Sequence, residues 1–260
     1  MGEICFDSDP GGLRSRLTRG GARLAALGVV TLDTARQLRA SEDPSAGERA
    51  RSRARVLFGM SRRILALHGI EVDARGAVPV GATIIAANHV SWLDVLVVAS
   101  FLPLVPISRA DLSSWPVIGH LARELGAVFC ASRDPGDGAR VLRAAGRALA
   151  ADLPVLDLSD GTTTEGGFAP PFAKGLFGLA RTLKVPVFPA AICYEPRDLE
   201  WVGNGPFVTH YLKLAVRRRA RAVLRFGPPL FPSAHGSGPA LAAATRERVP
   251  ALLDGAGRPR

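Results

Sequence analysis

The chain has 260 residues, nearly half of them apolar, with a formal net charge of +10 and a pI near 10.8. That length and composition exclude a disordered or collagenous chain and allow one large core with a helical appendage. The basic surplus favours an anionic partner: phosphate backbones, acidic lipids or acidic small molecules.

Residues 1–12 read as a disordered N-terminus, with no basic start followed by an apolar stretch, so no signal peptide is expected. From Leu13 to Ala40 the pattern is helical, with Leu13, Leu17, Leu24 and Leu27 among arginines and an interruption at Gly20–Gly21. A loop from Ser41 to Gly47 leads to a second helix from about Glu48 to His68. There Leu57, Met60, Ile64 and Leu67 share one face and arginines fill the rest. Such a helix suits an interface with anionic lipid, but the stripe equally suits packing on a core. Residues 13–70 are accordingly read as a basic, amphipathic, membrane-facing helical segment.

Residues 71–232 have the character of an α/β domain. Short apolar runs at Thr83–Ala87, Val105–Ser108, Ala127–Ala131, Val155–Leu158, Val187–Cys193 and Ala222–Phe226 are predicted strands. Helices are expected at Ser91–Phe101, Leu112–Leu125, Gly138–Ala151, Phe172–Lys184 and Val208–Val216. The alternation predicts a largely parallel mixed sheet covered by helices. Residues 233–260 read as a C-terminal helix and tail. No apolar run reaches the roughly 18–20 residues of a spanning helix, so a peripheral location on the cytoplasmic face of a membrane is expected. The basic run Lys213–Arg225 is a second candidate contact for lipid or phosphate.

The cysteines, Cys5, Cys130 and Cys193, are too few and odd in number for a disulfide framework and fit a reducing compartment. The five histidines have no metal-ligand spacing, and no metal is expected.

The stretch Asn88-His89-Val90-Ser91-Trp92-Leu93-Asp94 carries the chemistry. A histidine where a strand gives way to a helix lies at the edge of the sheet where open α/β folds place their sites. Ser91 can cap the following helix, and Asp94 in its first turn can curl back to the ring of His89. A carboxylate on one imidazole nitrogen fixes the tautomer and leaves the other free to take a proton from a hydroxyl. An isolated histidine and aspartate five positions apart suits a hydrogen-bonded turn just as well. No Gly-x-Ser-x-Gly elbow or apparent cysteine nucleophile accompanies them, which favours direct transfer over an acyl-enzyme.

This block, and those that follow it in order, resemble the lysophosphatidate (1-acylglycerol-3-phosphate) acyltransferase family. Ile107–Asp111 and Trp115–Gly119 are similar to the stretch leading to its second block, and Gly126–Arg133 to that block itself. Gly161-Thr162-Thr163-Thr164 resembles the end of the third block, Phe172–Phe177 its usual continuation, and Val185–Pro189 the fourth. The match spans residues 56–230.

The resemblance implies a glycerolipid acyltransferase-like fold. It also implies an O-acyltransferase moving a fatty acyl group from acyl-CoA or acyl-carrier protein to a lysolipid hydroxyl, with no cofactor. His89 and Asp94 become the catalytic pair. Arg133 would hold the acceptor's anion, and Asp160, Gly161, Thr162 and Arg109 would line the acceptor site. Two departures stand out: Leu158-Ser159-Asp160-Gly161 replaces the usual Phe-Pro-Glu-Gly, and Arg109 stands where lysine is usual. Both leave the acceptor open between lysophosphatidate, the family default, and lyso-ornithine lipid, whose acyltransferases share features of the Gly161–Gly166 and Trp201–Gly203 stretches. A non-enzymatic basic lipid- or nucleic-acid-binding protein is the alternative of another class. Against nucleic acid stand the 6% aromatic content and the lack of any binding motif.

Overall fold

The computed structural model describes residues 12–40, 45–115, 117–130, 135–158, 174–201 and 207–254. Two long helices come first, α1 (Gly12–Ala40) and α2 (Ala46–Leu67). Ser45 caps α2 by accepting from the N–H of Glu48, whose carboxylate in turn accepts from the serine hydroxyl. This box starts the helix at Ala46, ahead of the expected Glu48.

A seven-stranded sheet follows, in the order β1-β7-β6-β2-β5-β3-β4. Its strands are β1 (Ile70–Arg75), β2 (Ile84–Ala87), β3 (Val105–Arg109), β4 (Val128–Cys130), β5 (Val155–Leu158), β6 (Val187–Glu195) and β7 (Ala220–Phe226). All neighbours pair in parallel except β6 and β7. The intervening helices are α3 (Asp94–Ala99), α4 (Ile118–Glu124), α5 (Pro135–Ala150), α6 (Lys174–Leu183), α7 (Phe207–Val216) and α8 (Gly238–Asp254).

Strand β2 lies between β6 and β5 and is wholly buried, which explains its uninterrupted apolar sequence. Ile85 and Ala87 face the core shared with α2, α3 and α7, whereas Ile84 and Ala86 face the one shared with α5, α6 and α8. Because β2, β3, β4, β5 and β6 run parallel, their C-terminal ends share one edge of the sheet.

Strand β1 was not among the expected elements. Its sequence Ile-Glu-Val-Asp-Ala-Arg alternates, and its acids meet the arginines of β7. Arg221 pairs with Asp73 at 2.7 Å and with Glu195 at 3.4 Å, and Arg225 donates to the Asp73 carbonyl at 3.0 Å. Arg217 pairs with Asp198. Within the basic run Lys213–Arg225, Arg217, Arg221 and Arg225 are therefore engaged by acids of the fold, whereas Lys213, Arg218 and Arg219 are exposed.

Two expectations about the N-terminal helices change. The leucine stripe of α2 does not face outward: Leu57, Met60 and Ile64 are core residues. Gly20–Gly21 does not break α1, which runs through it. A Cβ on Gly20 would lie 3.1 Å from Val216, so glycine there permits close approach to α7. Little of α1 is buried beyond Arg23, Val30 and Thr34. Its arginines hold it instead. Arg19 donates to the Val216 carbonyl at 2.8 Å, while Arg23 donates to the carbonyls of Ala215 and Arg218 at 3.3 Å each and to that of Arg217. The carbonyls of Ala215 and Val216 are orphan acceptors at the end of α7, and those of Arg217 and Arg218 lie just beyond it, where positive charge is favoured. Among the described residues, no helix is long and apolar enough to cross a membrane.

Replacing Arg23 by methionine keeps the apolar stem and removes these charge-assisted bonds. We expect a loss of about 2–3 kcal/mol of stability, read as a lower midpoint in denaturant unfolding. An equivalent change at exposed Arg14 should leave the midpoint in place.

Candidate active site

The site grows from the end of β2. Asn88 extends the strand by one side-chain step. Its amide nitrogen donates to the Ile192 carbonyl and its amide oxygen accepts from the Ile192 N–H, both at 2.8 Å. The backbone then leaves the sheet. The Val90 carbonyl accepts from the N–H of Trp201 at 2.7 Å, joining this loop to the segment after β6.

Asp94, fully buried as the first residue of α3, organises the turn. One carboxylate oxygen, Oδ2, accepts from His89 Nδ1 at 2.7 Å, from Val90 N–H at 2.7 Å and from Ser91 N–H at 2.9 Å. The other, Oδ1, accepts from the Tyr194 hydroxyl at 2.7 Å. With Nδ1 donating, the lone pair of His89 sits on Nε2. The ring remains 15% exposed, open enough to meet a substrate. Ser91 does not cap α3, whose N-cap position, Leu93, makes no side-chain cap bond. The reach runs the other way, from Asp94 back to the loop's own N–H groups, because a buried carboxylate needs more donors than one imidazole supplies.

Tyr194 on β6 was not expected. Burial first, and then the charge of Asp94, push its hydroxyl well above its ordinary pKa, so it stays a donor. Its only signal in the sequence is a residue with a polar tip inside the apolar run Ala-Ile-Cys-Tyr. Cys130 is a weak candidate nucleophile, since burial and then Asp137 and Asp157 raise its pKa.

A second pair joins the loop to α7, through Trp92 and His210. The indole N–H donates to His210 Nδ1 at 3.0 Å, which requires that nitrogen to be unprotonated. Trp92 packs on Phe207 and Tyr211, Phe207 also meets Trp115 and Trp201, and the Tyr211 ring further contacts His68 at the end of α2.

Comparison with known proteins agrees with this geometry. A family model described as Acyltransferase matches residues 69–193. The lyso-ornithine lipid O-acyltransferase of Rhodobacter capsulatus is 30% identical over 254 residues, covering 91% of this chain and 89% of the relative. This chain belongs to the acyltransferase family. A protein of the same name from Brucella abortus is 32% identical, covering 78% of this chain and 83% of the relative. The 1-acyl-sn-glycerol-3-phosphate acyltransferase of Neisseria meningitidis is 29% identical, covering 66% and 67%. The crystal structure of the 1-acyl-sn-glycerophosphate acyltransferase PlsC from Thermotoga maritima shares the fold, with a TM-score of 0.65 at 19% identity over 95% of this chain and 97% of that one.

Within this acyltransferase, the structure brings His89 and Asp94 together. Arg109 ends β3, in register with Cys130 at the end of β4, on the sheet edge that carries His89. The side chain of Arg109, and Arg133, Asp160, Gly161 and Thr162 as a whole, lie outside the described residues.

His68 and His210 give the acyltransferase an acid limit. Burial is the leading cause that holds both below the ordinary 6.5; Arg23 adds to the effect at His68 and Lys213 at His210. In the window from those lowered values up to 6.5 the unfolded chain binds more protons than the folded one, so stability rises with pH across it. Thermal unfolding followed from pH 8 to pH 5 should show the melting temperature falling once pH drops below about 6.5. His210→Gln, whose amide oxygen can accept from Trp92 without titrating, should flatten part of that fall.

Proposed function

We propose that this acyltransferase moves a fatty acyl group from acyl-CoA or acyl-carrier protein to the hydroxyl of lyso-ornithine lipid at a membrane surface. The observation that carries the chemistry is the bond between His89 Nδ1 and a fully buried Asp94. His89 Nε2 takes the proton of the acceptor hydroxyl as its oxygen attacks the thioester carbonyl. The resulting imidazolium is stabilised by Asp94. The tetrahedral intermediate then collapses, the C–S bond breaks, and the departing thiolate takes the proton back from Nε2. Ester and thiol are the products, and the enzyme returns to its starting state without a covalent intermediate.

Lyso-ornithine lipid is favoured over lysophosphatidate by the fuller match to relatives of that name. The altered third block fits an acceptor without phosphate. Arg133 then suits the ornithine carboxylate, which a guanidinium can grip in two-point contact. Asp160, Gly161, Thr162 and Arg109 keep the acceptor-side roles implied by the resemblance.

The membrane reading moves from α2 to α1. Leu13, Leu17, Leu24, Val29 and Leu32 are 55–73% exposed, and α7, against which α1 packs, adds exposed Val208 and Leu212. Exposed Arg14, Arg16, Arg36 and Arg39 lie on the same helix. Apolar side chains flanked by arginines suit insertion at the boundary of an anionic bilayer.

Purified protein offered lyso-ornithine lipid and lysophosphatidate with either donor, read by mass spectrometry, tests the reaction. His89→Ala should lower kcat by about 10²–10⁴ while leaving the fold intact. Unchanged turnover in that variant would overturn the mechanism. For the surface, Leu17→Asp with Leu24→Asp should abolish co-sedimentation with anionic vesicles while turnover of detergent-dispersed acceptor persists; undiminished vesicle binding would remove α1 from the interface.

A further inference from the structure

Strand β2 stops opposite Ala190, but β6 runs on to Glu195. The segment from Asn88 to Asp94 is fastened to this overhang at both ends. At the near end the Asn88 side chain takes the N–H and the carbonyl of Ile192, both at 2.8 Å. At the far end the Tyr194 hydroxyl donates to Asp94 Oδ1 at 2.7 Å. His89 stands between the two fastenings. Ile192 and Tyr194 are two positions apart on one strand and so share a face of the sheet. Their core also takes in Leu93 and Leu96, on either side of Asp94.

The two oxygens of Asp94 are served differently. Oδ2 collects three donors, the His89 ring and the N–H groups of Val90 and Ser91, all from its own loop. Among the described residues, the Tyr194 hydroxyl is the one donor to Oδ1. A carboxylate turns easily about the bond to its Cβ, because that torsion is broad and nearly two-fold. A buried oxygen without a donor is costly. Without the phenol, the group would gain by turning until both oxygens shared the donors now held by Oδ2. The bond to His89 Nδ1 would then lose its fixed direction. Tyr194 itself is 2% exposed, so its hydroxyl meets no substrate and acts through Asp94. Burial, and then the charge of Asp94, keep that hydroxyl protonated, which leaves the negative charge on the carboxylate that faces the imidazole.

We propose that Tyr194 is a positioning residue for acyl transfer: it holds the Asp94 carboxylate in the orientation that lets His89 become a cation. This rests on the reading of His89 as the base. The cation forms as the acceptor hydroxyl loses its proton, so the benefit falls on the transition state and not on substrate binding.

Tyr194→Phe keeps the buried ring and removes the hydroxyl. Measured on folded enzyme, kcat should fall about tenfold or more while KM for the acceptor stays nearly unchanged. A tyrosine that served the fold alone would lower the unfolding midpoint and leave kcat per folded molecule as it was; that result would overturn the proposal. A second measurement needs no change at Tyr194. The chain holds two tyrosines, Tyr194 and Tyr211, so a fluorotyrosine label gives two fluorine resonances, and Tyr211→Phe identifies the one from Tyr194. That resonance should move in His89→Ala, because ring and phenol share one carboxylate. A resonance that stays in place would show the phenol to be uncoupled from the base, and the positioning role would fall. Full turnover in Tyr194→Phe beside an inactive His89→Ala would remove Tyr194 and leave the base standing. Full turnover in His89→Ala would remove both.

Discussion

A carboxylate with no exposed surface is stable only if its lone pairs find donors, and Asp94 collects four of them: an imidazole, two backbone N–H groups and a phenol. They come from different pieces of the chain. Two N–H groups curl the loop after β2 into its tight shape, the imidazole is thereby pointed outward from the sheet edge, and Tyr194 ties the whole to β6. Asn88 adds a second tie to the same strand one residue earlier. The burial that makes the carboxylate costly to leave unpaired also fixes its partners in place before any substrate arrives. The orientation of His89 is thus a consequence of satisfying a buried charge and needs no separate device.

The same logic governs the arginines. Net charge alone suggested a broadly basic surface for anions. Several arginines are in fact engaged within the fold. Arg19 and Arg23 close the end of α7, and Arg217, Arg221 and Arg225 hold acids of the β1, β6 and β7 edge. Composition counts such residues as surface charge because a guanidinium can donate to backbone carbonyls while its stem packs among apolar neighbours.

What the sequence made legible follows from which interactions are local. The apolar runs that became β2 and β5 needed no context, being buried on both faces. The spacing of His89 and Asp94 was legible because the bond closes over five residues. Tyr194 was not, since its partner lies 100 residues away in sequence and meets it only across the sheet. Strand β1 went unseen because its alternation is short and half charged, and becomes a strand signal only beside the arginines of β7. The antiparallel turn of β7 against β6 is hidden by the helix between them. An amphipathic stripe alone could not distinguish core from lipid: the stripe on α2 is core, and the exposed leucines belong to α1, whose attachment is made by charge.

These two sets of interactions meet in α7. Its last carbonyls are gripped by the arginines of α1, and its first turns hold the aromatic cluster, with Phe207 against all three tryptophans and His210 accepting from Trp92. Ten residues of helix span about 15 Å, so a short rigid rod joins the outermost helix to the loop that carries His89. Tyr211 adds a side connection through His68 to the end of α2. The N-terminal helices are therefore not an appendage set beside a finished domain. Without α1 the end of α7 would keep its orphan carbonyls, and the aromatic cluster built on its other end would lose the helix that positions it.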